Sequence, residues 1–422
     1  VKIKITSLGC RLNQSEIESV STRLQDMGHE IAKDDTADIY IFNSCSVTGK
    51  SEKKVRNLIS RARKSSPAKE NIKIIVTGCS SDDFSGSPEI LFVPNDYKYL
   101  IPEIVDRNLT LPDILKEPAS RFSYAAPVKS STVRANLKIQ DGCDNFCSYC
   151  IIPYLRGKPL SKPSDIILSE FGELLNNGYK EIVLTGVNIG KYNYDETGLD
   201  GLVEKILANH NSDFRLHLTS LDPDSSCDRL IGLYKDPRMV KHLHLSLQSG
   251  SDSVLNRMNR PYTRDDYTRV TEKIKQIVAD FNFTTDVIVG FPGETENEFN
   301  DTISLVREVG FSHIHTFRYS PREGTKAYNM SNLVDEKIKK DRSRITTNTA
   351  LTLKKNYYRK FNSRRTVFLS EKSKESITTG FNNYYVPIEI EGRLSPNRFY
   401  EVITEFNEKK YKLSGTVIAE GA

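Results

Sequence analysis

The stretch Cys143-Asp144-Asn145-Phe146-Cys147-Ser148-Tyr149-Cys150, followed by Ile151-Ile152-Pro153-Tyr154, decides how the rest of the chain is read. Its three cysteines follow the spacing C-x3-C-x2-C. Three thiolates leave a structural zinc site one ligand short of its tetrahedron. They match three irons of a [4Fe–4S] cube, which cysteine thiolates ordinarily hold, and leave the fourth iron open. Tyr149 places a ring beside that open corner, and a β-like run, Asn136–Gln140, stands just before the motif. A zinc knuckle is the competing reading of the same cysteines.

Outward from this motif, β-like runs recur with helical stretches between them: Asn136–Gln140, Glu181–Thr185, Phe214–Ser220, His242–Gln248, Thr285–Val289 and His313–Tyr319. A repeated βα pattern predicts a parallel sheet. Six units predict a partial (β/α)6 barrel rather than the full eight, with its chemistry at the C-terminal strand ends. Those ends carry polar or glycine-rich segments: Thr185-Gly186-Val187-Asn188, Ser220-Leu221-Asp222-Pro223, Gln248-Ser249-Gly250, Gly290-Phe291-Pro292-Gly293-Glu294 and Ser320-Pro321-Arg322. Glycine there permits close approach of backbone to a ligand. Arg257, Arg260 and Arg322 lie just past strand ends and are candidates to meet carboxylate or phosphate. Cys227 has no cysteine near it in sequence and reads as a bystander.

Before the barrel, Lys2–Leu8, Asp38–Asn43 and Ile72–Thr77 read as strands, with an amphipathic helix over Asn13–Met27 and a basic one over Glu52–Arg63. Each strand is followed at once by a cysteine: Cys10, Cys45 and Cys79. In an open parallel sheet, ligands bind outside the carboxyl ends of the strands, so these three thiols converge on a second site. Three unrelated buried thiols are the alternative. Pro88, Pro94, Pro102, Pro112 and Pro118 interrupt the segment that follows, which reads as a short closing strand and helix and then a linker. After the barrel, Arg365–Leu369, Tyr384–Ile390, Phe399–Thr404 and Lys412–Ile418 read as short strands of a small barrel, in which Phe381, Tyr384 and Tyr385 supply rings.

The 422 residues carry a net charge of +5, with 37% hydrophobic and 27% charged residues, the composition of a soluble globular protein. No apolar run is long enough to span a membrane. The seven cysteines are odd in number and do not form a secreted disulfide framework. Basic residues concentrate in Lys50–Lys64, where Lys53, Lys54, Arg56 and Arg61 face only Glu52, and again in residues 351–422. Two basic regions suggest a polyanionic partner; a solvated helix face would carry similar charge.

The cysteine spacing, the aromatic before the third cysteine and the preceding strand together resemble the radical S-adenosylmethionine (SAM) superfamily, in which the open iron is chelated by SAM. By that resemblance Tyr149, Thr185, Gly186, Asn188, Gln248, Ser249, Val289 and Gly290 are the expected cofactor contacts. With Ser7-Leu8-Gly9-Cys10-Arg11-Leu12-Asn13-Gln14, Asn43-Ser44-Cys45-Ser46-Val47-Thr48 and Thr77-Gly78-Cys79, the chain is similar to the methylthiotransferase family, whose N-terminal cysteines hold a second [4Fe–4S] cluster. Cys10-Arg11-Leu12-Asn13-Gln14 looks like the branch acting on threonylcarbamoyladenosine of tRNA. It departs from the Cys-Pro-Lys-Asn form of the ribosomal-protein branch and the Cys-Gln-Met-Asn form of the isopentenyladenosine branch. Leu155 and Pro159-Leu160-Ser161-Lys162 depart from the family's run after the third cysteine. Gly380-Phe381-Asn382 departs from the Gly-aromatic-Thr of its TRAM domain.

The resemblance implies an α/β fold in three parts: residues 1–128, an open parallel sheet with the second cluster; 129–360, the partial radical SAM barrel; and 361–422, a TRAM-like β domain that binds RNA. It implies an enzyme replacing C2–H by a methylthio group on adenosine 37 of tRNA that carries N6-threonylcarbamoyl. The alternatives are the same chemistry on isopentenyladenosine or a ribosomal-protein aspartate and, more distantly, a non-enzymatic iron–sulfur RNA-binding protein. The implied cofactors are two [4Fe–4S] clusters, at Cys143/Cys147/Cys150 and Cys10/Cys45/Cys79, and SAM. No other residue is given a catalytic role. The implied partners are a tRNA anticodon stem-loop, met by Lys53, Lys54, Arg56, Arg61 and Tyr385, and an electron donor such as flavodoxin or ferredoxin. A cytoplasmic monomer is expected.

Overall fold

The structure, a computed structural model, describes residues 1–45, 49–65, 72–79, 90–117, 119–124, 126–128 and 132–420. Ser46, Val47, Thr48, Pro88 and Pro118, and the side chains of Lys50 and Glu52, lie outside the described residues. The chain opens with β1 (Lys2–Ser7), α1 (Arg11–Asp26), β2 (Glu30–Ile31), β3 (Ile39–Ser44), α2 (Gly49–Ser65), β4 (Lys73–Gly78) and β5 (Ile90–Val93). The strands form one parallel sheet in the order β2-β1-β3-β4-β5. Strand alternation sends Ile39 and Ile41 to one face and Tyr40 and Phe42 to the other. On the first face they pack with Ile17, Val20 and Leu24 of α1. On the second they pack with Val55, Ile59 and Ala62 of α2. Every residue of β3 is therefore buried, as expected of a parallel sheet covered on both sides.

Six parallel strands follow: β6 (Arg134–Lys138), β7 (Glu181–Thr185), β8 (Arg215–Leu218), β9 (His242–His244), β10 (Asn282–Val289) and β11 (His313–Arg318). They pair as β8-β7-β6 and β9-β10-β11, and the bridges Leu216↔Met239 and Leu221↔Leu245 join the halves. The partial barrel is as expected, but β9 ends at His244 rather than at Gln248. Beyond it the ladder is irregular: Leu245 N–H and Gln248 N–H still donate to Thr284 O and Asp286 O at 2.9 Å, but Ser246 N–H crosses to Leu221 O at 2.9 Å. The Tyr262 hydroxyl donates to Ser246 O at 2.8 Å, and Leu247 N–H donates to Thr285 Oγ1 at 2.9 Å. Gln248 then turns the chain with φ +62°.

The helix Glu336–Arg359 leads into a closed barrel of five strands: β12 (Arg364–Lys374), β13 (Ile377–Asn382), β14 (Pro387–Glu391), β15 (Phe399–Asn407) and β16 (Lys412–Glu420), in the order β12-β13-β14-β16-β15. Only four strands were expected. The fifth, β13, escapes hydrophobic patterning because its buried positions are Thr378, Gly380 and Asn382. Gly380 is needed there, since a Cβ would come within 1.9 Å of Leu369 O. This barrel docks on the N-terminal ends of the central strands. Lys241 N–H donates to Asn383 O at 2.8 Å, Asn282 Nδ2 to Tyr384 O at 2.7 Å, and Arg215 Nη1 to Phe381 O at 3.0 Å.

Candidate active site

Adjacent strands bring the first cysteine set together. β1, β3 and β4 are neighbours in the sheet, so Cys10, Cys45 and Cys79, each just past a strand, share one edge. Two glycines let the loops touch. Gly9 (φ +103°) lies on Cys45, where a Cβ would sit 2.9 Å from Sγ. Gly78 (φ +102°) lies on Ser44, where a Cβ would sit 2.3 Å from the carbonyl oxygen. Asn13 ties the loops further, donating to Ser44 O at 3.0 Å, while Asn43 donates to Asn13 O at 2.7 Å.

Arg156 from the barrel reaches this edge. It donates to Asn13 Oδ1 at 2.7 Å, to Glu16 Oε1 at 3.0 Å and to Asp141 Oδ1 at 3.0 Å, and its Nε lies 3.5 Å from Cys79 Sγ. Lys98 and Lys138 bind Glu16 at 2.6 and 2.7 Å, and Lys138 binds Asp141 at 2.6 Å. All five charged groups are buried. Burial alone would raise the Glu16 carboxyl; Arg156, Lys138 and Lys98 outweigh it and hold it well below the usual range. Three cations against two carboxylates leave one positive charge in excess beside the thiols, which suits an anionic thiolate-ligated cluster. Arg156→Met strips both carboxylates of a cation, and a broken buried pair costs about 3–5 kcal/mol. Chemical denaturation under anaerobic conditions should show a loss of that order; a change under ~1 kcal/mol would refute the hub's structural role.

The second cysteine set sits in a braced loop at the opening of the barrel. Gly142 (φ +78°) permits the entry turn, where a Cβ would lie 2.1 Å from Lys158 O. Ser148 donates from N to Met258 O at 2.9 Å and from Oγ to Arg257 O at 2.8 Å. Arg260 donates to Cys147 Sγ at 3.1 Å and to Tyr262 OH at 3.0 Å, and pairs with the Asp222 carboxylate. Arg257 forms a fork on Glu298, at 3.0 Å to each oxygen. Two of the three strand-end arginines thus serve the site's own frame, and Arg322 lies in the loop after β11. Burial pushes the Cys150 thiol up to about 12, so at neutral pH it is a thiol until a metal takes the proton's place. Cys227 is exposed at the start of the helix Asp228–Leu233, on an element that carries neither set.

The expected SAM contacts fall at this end of the barrel with different surroundings. Tyr149 packs against Val254, Met258, Phe291, Tyr319 and Ala327, joining the cysteine loop to the strand-end loops. Asn188 N–H donates to Gln140 Oε1 at 2.9 Å, and its Nδ2 reaches Asp222 at 3.4 Å. Its Oδ1 is buried without a hydrogen-bond partner among the described residues, an acceptor suited to the ammonium group of SAM. Thr185 and Gly186 line the central cavity. Gly186 also lies on Gln140, where a Cβ would meet the carbonyl oxygen at 2.8 Å. Gly290 (φ +71°) lies on the Lys339 side chain, and its N–H donates to Glu294 at 2.6 Å. Val289 is fully buried, and Ser249 turns its hydroxyl to Thr302 at 3.2 Å. Packing accounts for these last three positions, whereas Asn188 keeps an open valence.

A cavity of about 720 Å³ runs through the barrel. Cys10, Cys45 and Cys79 line it, as do Arg156 and Ile152, two residues past Cys150. Phe381 and Tyr385, stacked with centroids 4.6 Å apart, form part of its wall. The Tyr385 hydroxyl accepts from Arg11 at 2.9 Å and from Arg134 at 2.7 Å. Tyr385 therefore joins all three parts of the chain and faces inward, not onto an outer groove. Lys53, Lys54, Arg56 and Arg61 are exposed on α2, opposite Val55, Ile59 and Ala62. Five of the seven histidines also line the cavity: His217, His242, His244, His313 and His315. The sequence reading passed over them. The pairs His242-Leu243-His244 and His313-Ile314-His315 were an available signal, because alternate strand residues share a face.

Residues 137–306 match the family described as the radical SAM superfamily, and residues 2–88 match an uncharacterised protein family, UPF0004. The threonylcarbamoyladenosine tRNA methylthiotransferase MtaB of Thermotoga maritima is 38% identical over 401 residues, 92% of this chain and 91% of that protein. The protein of that name from Bacillus subtilis is 32% identical over 92% of this chain and 89% of its own length. A tRNA-2-methylthio-N(6)-dimethylallyladenosine synthase of Caldicellulosiruptor saccharolyticus is 34% identical over 80% of this chain and 75% of that protein. Among solved structures, the radical SAM methyltransferase TsrM of Kitasatospora setae superposes with a TM-score of 0.56 at 11% identity, covering 78% of this chain and 75% of that one. That likeness is one of fold.

Proposed function

The chain belongs to the radical SAM methylthiotransferase family, and from that premise we propose that it adds a methylthio group to C2 of N6-threonylcarbamoyladenosine at position 37 of tRNA. The observation that carries this reading is the shared cavity, which has the N-terminal cysteines on its wall and the start of the segment after Cys150 beside them. Thr185 and Gly186, two of the expected SAM contacts, line the same cavity, so an acceptor placed there would lie between the N-terminal cysteines and that strand end. Relatives named for threonylcarbamoyladenosine match more of the chain than the dimethylallyladenosine synthases do, which favours the first substrate.

When bound, the two [4Fe–4S] clusters and SAM supply the electron, the radical and the sulfur that an inert aromatic C–H requires. The protein's part is to bind, orient and exclude water. Cys143, Cys147 and Cys150 would hold the SAM-binding cluster, and Cys10, Cys45 and Cys79 the other. Asn188 Oδ1 would accept from the SAM ammonium, and Tyr149, Thr185, Gly186 and Gln248 would surround it, with Ser249, Val289 and Gly290 packed behind them. Phe381 and Tyr385 offer a ring wall to an inserted base, since base–aromatic stacking is tolerant of sequence. Lys53, Lys54, Arg56 and Arg61 meet the phosphates of the anticodon stem-loop. No described helix is long and apolar enough to cross a membrane. We assign the protein to the cytoplasm as a monomer of three parts, 1–128, 129–360 and 361–422, reduced by a flavodoxin or ferredoxin.

The test is nucleoside mass spectrometry on tRNA carrying threonylcarbamoyladenosine, incubated anaerobically with reconstituted protein, reductant and SAM. One methylthio group should appear on that nucleoside. A gain on isopentenyladenosine alone would move the substrate, and SAM cleavage without any product would sink the reading. In the same assay, a Lys53→Glu/Lys54→Glu/Arg56→Glu variant should need more tRNA. Its binding should also show a shallower dependence on log salt, because each lost phosphate contact removes a released counterion. An unchanged salt slope would remove α2 from the interface.

A further inference from the structure

A chain of buried hydrogen bonds ends in the cavity on a ligand set that neither cysteine site uses. At its far end Glu181 Oε1 faces His217 Nδ1 at 3.4 Å. Burial lowers His217 to about 4, so it is neutral. Its Nε2 lies 2.8 Å from His242 Nδ1. Thr284 Oγ1 lies between His242 Nε2 at 3.0 Å and His244 Nδ1 at 3.1 Å. Thr284 thus engages His244 Nδ1 and leaves Nε2 for the cavity, which His244 lines.

That nitrogen meets two more donors. Asp286 Oδ2 lies 3.4 Å from it, too long for a good hydrogen bond but a natural spacing for two ligands of one ion. His315 pairs with Asp286 across the β10–β11 ladder. Its Nδ1 lies 3.3 Å from His313 Nε2, which leaves its other nitrogen for the cavity. One ligand atom from each of His244, Asp286 and His315 lies within 4.8 Å of the others. Bonds of about 2.0–2.1 Å in a tetrahedron place ligands roughly 3.3 Å apart, and rotation of the exposed His315 ring closes that gap. Metal-bound histidines ordinarily have the second ring nitrogen engaged, which fixes tautomer and orientation. Both histidines here meet that condition.

We infer that His244, Asp286 and His315 form a mononuclear site for a divalent transition metal of the Zn²⁺ or Fe²⁺ class, with open coordination positions turned into the cavity. Two imidazoles and one carboxylate suit these ions and not Mg²⁺ or Ca²⁺, which prefer all-oxygen sets. Three protein ligands leave room for water or an oxygen donor of a bound molecule.

The test uses holoprotein with both clusters reconstituted, exposed to Zn²⁺ alone and desalted. Zinc and iron are measured by mass spectrometry, and zinc coordination by X-ray absorption. About one zinc per chain is expected, with nitrogen and oxygen neighbours near 2.0–2.1 Å and none of the sulfur at about 2.3 Å that a vacant cysteine site would give. Asp286→Asn and His315→Gln should each weaken zinc binding at least tenfold while iron content stays at the wild-type level. His315 is exposed to the cavity, so its replacement leaves the core intact. Sulfur-coordinated zinc, no retained zinc, or equal retention by both variants would overturn the assignment.

Discussion

Replacing any one of Cys143, Cys147 and Cys150 by Ala should take reductive SAM cleavage down to the protein-free background. Two thiolates cannot hold a cube by three corners, and the loop around these cysteines has no spare sulfur, since Cys227 lies on another element. The frame itself would survive. Ser148 stays anchored to Met258 and Arg257, and Arg260 keeps Asp222 and Tyr262. The defect should therefore be chemical rather than structural. 5′-Deoxyadenosine falls to background, bound iron falls by about half as one cube of two is lost, and the far-ultraviolet dichroism is unchanged. Retention of more than about a tenth of wild-type cleavage would refute the radical assignment, since loss of an essential cofactor ligand removes far more than the tenfold that 1.4 kcal/mol represents.

The Ala variants of Cys10, Cys45 and Cys79 should behave differently. Methylthiolated product disappears, iron again falls by about half, and SAM cleavage persists. The separation follows from the structure. These cysteines stand on the edge of a separate sheet, whereas Cys143, Cys147 and Cys150 lie in a loop of the barrel. Arg156 is the cross-connection, and its contacts with Glu16 and Asp141 do not depend on any thiol. Joint measurement of iron, 5′-deoxyadenosine and methylthio nucleoside decides the matter. Wild-type iron in these variants would abolish the second cluster site. Loss of all SAM cleavage would show that the two sites are not separable as drawn.

The cysteine motif was legible because its three thiols lie in one short loop, where local spacing alone brings them together. The second set was legible for another reason. β runs reveal where strands end, and parallel sheets gather ligands at those ends. What the pattern could not supply was the strand order that makes β1, β3 and β4 adjacent. Patterning failed for β13, whose buried face is Thr378, Gly380 and Asn382. β9 ends short of Gln248 because Ser246 N–H crosses to Leu221 O and Leu247 N–H goes to the Thr285 hydroxyl, which interrupts the ladder. Tyr385 was expected among the residues that meet tRNA. Its placement between Arg11 and Arg134 depends on how three parts of the chain dock.

The sequence by itself determined the element order, the partial barrel, both cysteine sets and, through resemblance, the chemistry. The strands, the helices and the Cys143/Cys147/Cys150 set rest on spacings of a few residues along one backbone, where helix and strand periodicity dictate which side chains share a face; the Cys10/Cys45/Cys79 set rests on its placement at strand ends. The tertiary structure alone decided the buried charge hub of Glu16, Lys98, Lys138, Asp141 and Arg156 and the histidine chain from His217 to His244. Their members come from separate elements. Such polar groups are stable in the interior only once packing has brought their partners within hydrogen-bonding distance.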